Sequence, residues 1–328
     1  MLGGAKRVLV TGAGGFIGSH LVEMLVEQGY NVRALVHYNS RNDWGLLELV
    51  PPKIREDVEV VAGDIRDAHQ MERVVRGCTV VYHLAALIGI PYSYAAPSSY
   101  VSTNVVGTLN VLQAAMAEGV ERIVHTSTSE VYGTAQYTPI DEEHPLRGQS
   151  PYSASKIGAD KMAESFHLSF ELPVATIRPF NAFGPRQSAR AVIPTIITQA
   201  LDGEEVRLGA LDTIRDLTFV KDTAKGFVSV GESEAAVGRV TNIGRGEGVT
   251  IGDLAKSILA LVGRDLPIVS DEARVRPTNS EVRELICGNE SARQLLGWRP
   301  TTSLDAGLEQ TIAWVETHRD FFKDAYTV

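Results

Sequence analysis

A chain of 328 residues with 44% hydrophobic and 22% charged residues has the composition of an ordinary folded protein, which excludes a long disordered or low-complexity polymer. Its 31 Lys and Arg against 40 Asp and Glu give a net charge of −9 with no long basic run, so nucleic acid is a poor partner. The two cysteines, Cys78 and Cys287, form neither a CxxC pair nor a disulfide framework, no run has the length of a membrane span, and the start lacks the apolar stretch of a signal peptide; we read the protein as cytoplasmic.

Short apolar runs alternate with helical patterns through the first half: 7–10, 16–28, 32–36, 58–61, 67–76, 79–84, 99–118, 122–126, 151–171 and 174–178. The β-branched content of Val8-Leu9-Val10, Val58-Glu59-Val60-Val61 and Thr79-Val80-Val81 suits strands buried on both faces. This rhythm predicts an α/β protein, a Rossmann-type parallel sheet flanked by helices, with ligands at the C-terminal ends of its strands. After Pro179 the rhythm loosens into helices near 191–202, 222–232, 251–262, 289–296 and 304–318 and strands near 206–208, 217–220 and 240–243. We expect a Rossmann dinucleotide-binding domain over 1–178, to which segments near 217–243 return, and a smaller C-terminal α/β substrate lobe over 179–328.

Gly12, Gly15 and Gly18 form a GxxGxxG pattern between the first strand and the first helix. Glycines there permit a tight turn and close approach of a pyrophosphate, while the helix start at Phe16, Ile17 and Gly18 offers N–H donors. No Lys-Ser/Thr follows the last glycine, which rules out a P-loop. The second strand ends at Val36, where an NAD enzyme places an acid for the adenosine ribose. With His37 and Arg41 nearby, the barrier to a 2′-phosphate is missing, so the cofactor is NAD(P) with the choice open. Asp64 and Ile65 follow the third strand on the adenine side. Leu84, Ala85 and Ala86 follow the fourth on the pyrophosphate side.

Tyr152 and Lys156 stand four apart at the start of a helix opened by Pro151, and so share one face. A phenol with an ordinary pKa of about 10 becomes a usable base beside an ammonium. Just past the fifth strand, Thr128 can hydrogen-bond a sugar hydroxyl that Tyr152 deprotonates, and Glu130 can move a proton at a carbon next to a ketone. The eight histidines show no metal-ligand spacing, and no metal is expected.

The glycine loop, Thr128-Ser129-Glu130-Val131-Tyr132-Gly133, Tyr152/Lys156, Arg178-Pro179-Phe180-Asn181, Gly184-Pro185-Arg186, Arg215-Asp216 with Asp222, and Leu296-Gly297-Trp298-Arg299-Pro300 occur in order along the chain. With these motifs the chain resembles the extended short-chain dehydrogenase/reductases that act on nucleotide sugars. The stretches Leu87 to Tyr94 and Gln187 to Pro194 are most similar to the 4,6-dehydratases of legionaminic-acid-type nonulosonate pathways. The resemblance implies UDP- or GDP-N-acetylglucosamine as substrate, oxidation at carbon 4, loss of water across carbons 5 and 6, and hydride return to carbon 6, on an NAD(P) that is tightly bound and recycled. It makes Tyr152 the oxidation base, Lys156 its tuner, Thr128 its helper and Glu130 the base at carbon 5. Ser129 stands where the glucose-nucleotide dehydratases carry an acidic Asp, as in the mannose-nucleotide enzymes, so no residue is assigned to protonate the departing hydroxyl. Ile88, Asn181, Arg190, Val192, Arg215 and Arg276 match or approximate positions that meet the substrate. A family-like homodimer is implied, packed through the helices near 99–118 and 151–171. A nucleotide-sugar 4-epimerase and a uronic-acid decarboxylase share parts of this pattern and are the rival activities; a non-enzymatic dinucleotide sensor has no use for Tyr152 and Lys156.

Overall fold

In the computed structural model, which describes residues 6–271, 277 and 279–322, the first apolar runs form β1 (Arg7–Thr11), α1 (Phe16–Glu27), β2 (Asn31–His37), α2 (Pro52–Glu56), β3 (Val58–Gly63), α3 (Ala68–Val75) and β4 (Val80–His83). There follow α4 (Ile90–Ala95), α5 (Pro97–Tyr100), a π-helical turn (Val101–Val106), α6 (Gly107–Glu118), β5 (Arg122–Thr126), α7 (Pro151–Phe170) and β6 (Val174–Pro179). The second half contributes β7 (Asn181–Phe183), α8 (Val192–Asp202), β8 (Val206–Leu208), β9 (Ile214–Phe219), α9 (Val220–Glu232) and β10 (Val240–Ile243). It continues through β11 (Gly248–Thr250), α10 (Ile251–Val262), β12 (Ile268–Ser270), β13 (Glu284–Leu285), α11 (Glu290–Leu296) and α12 (Leu304–Thr317).

The main sheet has seven parallel strands in the order β10-β6-β5-β4-β1-β2-β3. Val8, Leu9 and Val10 are fully buried because both faces are covered. Val8 and Val10 pack toward Leu21, Leu25 and Phe227 of α1 and α9, and Leu9 packs toward Met71, Val111 and Ala163 of α3, α6 and α7. Strand order reverses at β1, which pairs with β2 on one side and β4 on the other, and a crevice opens at the strands' C-terminal ends. This is the Rossmann-type sheet expected from the alternation.

The smaller lobe surrounds a separate core that includes Phe183, Ile196, Leu217, Phe219, Leu254 and Leu308, with α8, α10 and α12 against short strands. β9 pairs with β7, β11 and β13, and β8 pairs with β12. The strand expected near 217–220 therefore lies at 214–219 and belongs to this small sheet. What returns to the main sheet is α9 and β10, the latter parallel to β6. β7, β11, β12 and β13 are two or three residues long, too short for an alternating pattern to register. Among the described residues no helix is long and apolar enough to cross a membrane.

Candidate active site

The glycine loop sits at the strand-order reversal. Gly12 has φ +70°, and a Cβ there would lie 2.7 Å from the Ala85 backbone nitrogen; one on Gly18 would lie 2.2 Å from the Gly12 carbonyl oxygen. The β1–α1 turn and the loop after β4 are thus in backbone contact, sewn together by Leu84 and Ala85 N–H groups that each donate to Thr11 Oγ1 at 3.1 Å. α1 starts at Phe16 behind Gly15, which supplies no side-chain cap, so the first-turn N–H groups of Phe16, Ile17 and Gly18 suit a diphosphate. This cradle fits a dinucleotide. Gly12→Ala adds about 1–3 kcal/mol of backbone strain and pushes against Ala85, and we expect cofactor affinity to fall on the order of tenfold or more, as read by fluorescence titration.

At the adenosine end Val36 is buried near the end of β2. His37 is exposed beside it, and Arg41 pairs with Asp43 at 2.8 Å while remaining 80% exposed. Asp64 is gripped by Arg66, whose Nε lies 3.0 Å from Oδ1, and this bond holds the carboxyl below its ordinary pKa. Ile65 is buried, and Asn110 donates to its carbonyl at 3.0 Å.

α7 carries Tyr152 and Lys156 on its first turns. Ser150 caps it, exchanging hydrogen bonds with Ser153, and Pro151 occupies the tolerated first position. Both catalytic candidates are buried. Tyr152 packs edge-on against Tyr100, with ring centroids 6.2 Å apart. Burial pushes its phenol above the ordinary value, and Glu130, Asp160 and Tyr100 push the same way against a hydrogen bond with Thr128 that lowers it. Lys156 Nζ donates to the Thr126 carbonyl at 2.6 Å, and burial lowers its ammonium from 10.5 to about 8 although the Asp160 carboxylate opposes the shift. The sequence leads one to expect Lys156 to draw the phenol's pKa down; in the structure burial dominates, and the ammonium is engaged by a backbone carbonyl.

Thr128 begins a tight 3₁₀ turn over Ser129–Tyr132, its Oγ1 accepting from the Glu130 N–H at 3.2 Å. That turn buries Ser129 and leaves Glu130 partly open at a cleft of about 320 Å³. Asn181, Arg190, Val192 and Arg215, expected to meet substrate, line the same cleft although they come from three separate stretches of the chain. Arg215 pairs with Glu281 at 3.2 Å. Ile88 is 68% exposed and does not line this cleft, and Arg276 lies outside the described residues.

The structure adds Gln187, Thr213 and Glu281 to the cleft wall. Gln187 Nε2 donates to the Ala182 carbonyl at 2.9 Å, which fixes the amide orientation; its Oε1 and Asn181 Oδ1 are buried with no partner among the described residues. Gln187 belongs to the stretch Gln187 to Pro194, but only the fold sets Ala182 beside it. Among the described residues no cluster of His, Cys, Asp or Glu has the arrangement to hold a metal ion.

Residues 9–311 match the model of the GDP-mannose 4,6 dehydratase family. A dTDP-glucose 4,6-dehydratase of Streptomyces griseus is 36% identical over 322 residues, 97% of this chain and 96% of that protein. The dTDP-glucose 4,6-dehydratase DesIV of Streptomyces venezuelae, solved with NAD and TYD bound, superposes with a TM-score of 0.88 at 32% identity, covering 97% of this chain and 99% of that one. A UDP-N-acetylglucosamine 4-epimerase of Methanobrevibacter ruminantium, solved with UDP-N-acetylmuramic acid, gives a TM-score of 0.87 at 29% identity over 95% of this chain and 99% of that one.

Proposed function

Because the chain belongs to the GDP-mannose 4,6-dehydratase family, within the extended short-chain dehydrogenase/reductases that bind nicotinamide dinucleotides and act on nucleotide sugars, we propose that it is a nucleotide-sugar 4,6-dehydratase acting on UDP- or GDP-N-acetylglucosamine. The observation that carries this reading is the placement of Glu130. It follows Thr128, the hydrogen-bond partner of Tyr152, by two residues and borders the cleft that also holds Asn181, Arg190 and Arg215. A carboxylate at the junction of the oxidation pair and the substrate cleft serves a proton transfer at carbon 5, which dehydration requires and simple 4-epimerisation does not.

Each residue then has a task. Thr128 and Tyr152 hold the carbon 4 hydroxyl, and Tyr152 takes its proton. Glu130 takes the carbon 5 hydrogen once the neighbouring carbon is a ketone. Arg215 meets the diphosphate, oriented by its pair with Glu281, and Arg190 and Val192 wall the nucleotide end. The cofactor is NAD(P), held by Gly12, Gly15, Gly18, the start of α1 and the loop Leu84 to Ala86, with Asp64 and Ile65 at its adenine; when bound it supplies the hydride acceptor and, oxidised, a positive charge. The described residues from 179 on, apart from α9, β10 and α11, which pack against the main sheet, form the nucleotide-sugar lobe. The exposed Val101, Val106, Met116, Leu168 and Phe170 on the π turn, α6 and α7 suit a homodimer.

Incubation with UDP- and GDP-N-acetylglucosamine followed by mass spectrometry tests the reading. Loss of one water is the expected result. An unchanged mass with inverted carbon 4 establishes the epimerase, the second reading favoured by the methanogen relative, and no turnover of either compound overturns the substrate assignment.

A further inference from the structure

Asp160 is a buried carboxylate that the chemistry above does not use. It lies one helical turn beyond Lys156 on α7, and its hydrogen-bond partners come from elsewhere in the chain. Its Oδ1 lies 3.0 Å from His125 Nε2, and its Oδ2 accepts from Ser127 Oγ at 2.6 Å and from Arg178 Nη2 at 3.1 Å. Arg178 continues to Tyr132 Oη at 2.9 Å, which donates to Asn242 Oδ1 at 2.8 Å. Asp160, His125, Ser127 and Arg178 are each at least nine-tenths buried. A structural ion pair would need Arg178 alone. Here the carboxylate grips the residues on either side of Thr126, and the Thr126 carbonyl is the acceptor for the Lys156 ammonium at 2.6 Å.

We propose that Asp160 is a positioning residue for the reaction: its negative charge holds the Lys156 ammonium in the charged state on the Thr126 carbonyl and thereby sets the upper pH limit of activity. The proposal rests on reading Tyr152 and Lys156 as the proton-handling pair. Lys156 has Asp160 and Tyr152 one turn away on its own helix, the latter packed against Tyr100 of α5, and its charge is felt by His125 on β5 and His83 on β4; Arg178 of β6 and Glu130 of the 3₁₀ turn are the other charged groups beside this cluster. His83 and His125 are both driven toward the neutral form, first by burial, and Lys156 presses them the same way. Tyr152 and Tyr100 are protonated phenols whose pKa values burial raises. Arg178 is paired with Asp160 itself, and Glu130 sits at the open cleft. Asp160 is therefore the one buried anion among these groups, and it is ionised, its pKa depressed to about 2 by His125, Arg178 and Lys156 against the opposing cost of burial.

The test compares wild type with Asp160→Asn, Asp160→Ser, Asp160→Glu and Ser127→Ala in the cofactor-loaded protein. Two readouts are taken: the pH profile of kcat with the nucleotide sugar that the wild type turns over, and the titration of the Lys156 side chain by NMR with 13C-labelled lysine, assigned through Lys156→Arg. Both neutral variants are expected to move the alkaline limb and the Lys156 titration to lower pH by about one unit or more. Asp160→Glu keeps the charge and restores them to near wild type. Ser127→Ala removes one hydrogen bond from the same carboxylate without removing its charge, and leaves the midpoint in place. An unmoved midpoint in the neutral variants, an equal shift in Ser127→Ala, or folding that is lost in both neutral variants but kept in Asp160→Glu assigns the carboxylate to structure alone and overturns the proposal. The NMR titration needs no substrate, so a wild type that turns over neither nucleotide sugar sinks the dehydratase reading while the Asp160 proposal is still decided.

Discussion

Glu130→Gln is expected to lower dehydration on the order of 10²–10⁴-fold while leaving cofactor binding and the first oxidation intact. Gln is nearly isosteric, so the 3₁₀ turn and its Thr128 bond, which engages the Glu130 backbone N–H, survive the change. What is lost is the carboxylate that we propose accepts a proton from the carbon beside the new ketone; the loss of its charge also removes one influence that raises the Tyr152 phenol, which does not hinder the first oxidation. The variant should therefore stall after carbon 4 is oxidised, and the absorbance of reduced nicotinamide should accumulate in a single turnover. Exchange of the carbon 5 hydrogen with deuterated solvent should cease. Undiminished water loss removes Glu130 from the mechanism. If instead the wild type epimerises carbon 4 and Glu130→Gln does so at an unchanged rate, the dehydratase reading falls with it.

The parts of this site that were legible in the sequence are those encoded locally. Gly12, Gly15 and Gly18 lie within one turn, and Tyr152 and Lys156 within one helical face, so spacing alone put them together. The main sheet was legible for the same reason: its strands are buried on both faces and read as apolar runs, as Val8 to Val10 do. The small lobe was less so. β9 reads as the apolar end of a strand near 217, but its partners β7, β11 and β13 are two or three residues long and take their place through tertiary pairing. The π turn at Val101–Val106 has no periodic signature, yet it places Asn104 so that its amide brackets the Leu87 backbone, accepting at 2.8 Å and donating at 2.9 Å.

The cleft shows the same division. Asn181, Arg190 and Arg215 were found through motif resemblance, and the fold brings them to one wall with Glu130. Gln187 and Glu281 depend on contacts with Ala182 and Arg215, 5 and 66 residues away, which no local pattern reports. The charge balance at Tyr152 was also beyond the sequence. The spacing of Tyr152 and Lys156 says that they are neighbours; only the packing shows that both are buried and that burial is what raises the phenol's pKa most.

That last point leads to the second large effect. Tyr152→Phe is expected to reduce the first oxidation by about 10²–10⁴-fold, since it removes the group that we propose takes the carbon 4 hydroxyl proton and leaves Thr128 without the phenol. Because the phenol is held above its ordinary value, it is protonated at neutral pH and becomes a base only when positive charge gathers beside it. Two sources of such charge are available, the Lys156 ammonium and the oxidised cofactor. Lys156 carries its proton below about 8 and loses it above, so the stabilisation of phenolate that it provides is full below that pH and fades as the pH rises through it. Wild-type kcat should accordingly bend downward on the alkaline side near that value. Lys156→Arg, which cannot lose its charge in this range, should remove the bend at the cost of a lower plateau. In Tyr152→Phe the residual rate should carry no such bend. A Tyr152→Phe enzyme within a few-fold of wild type, or one that keeps the alkaline bend, would show that another group takes the proton.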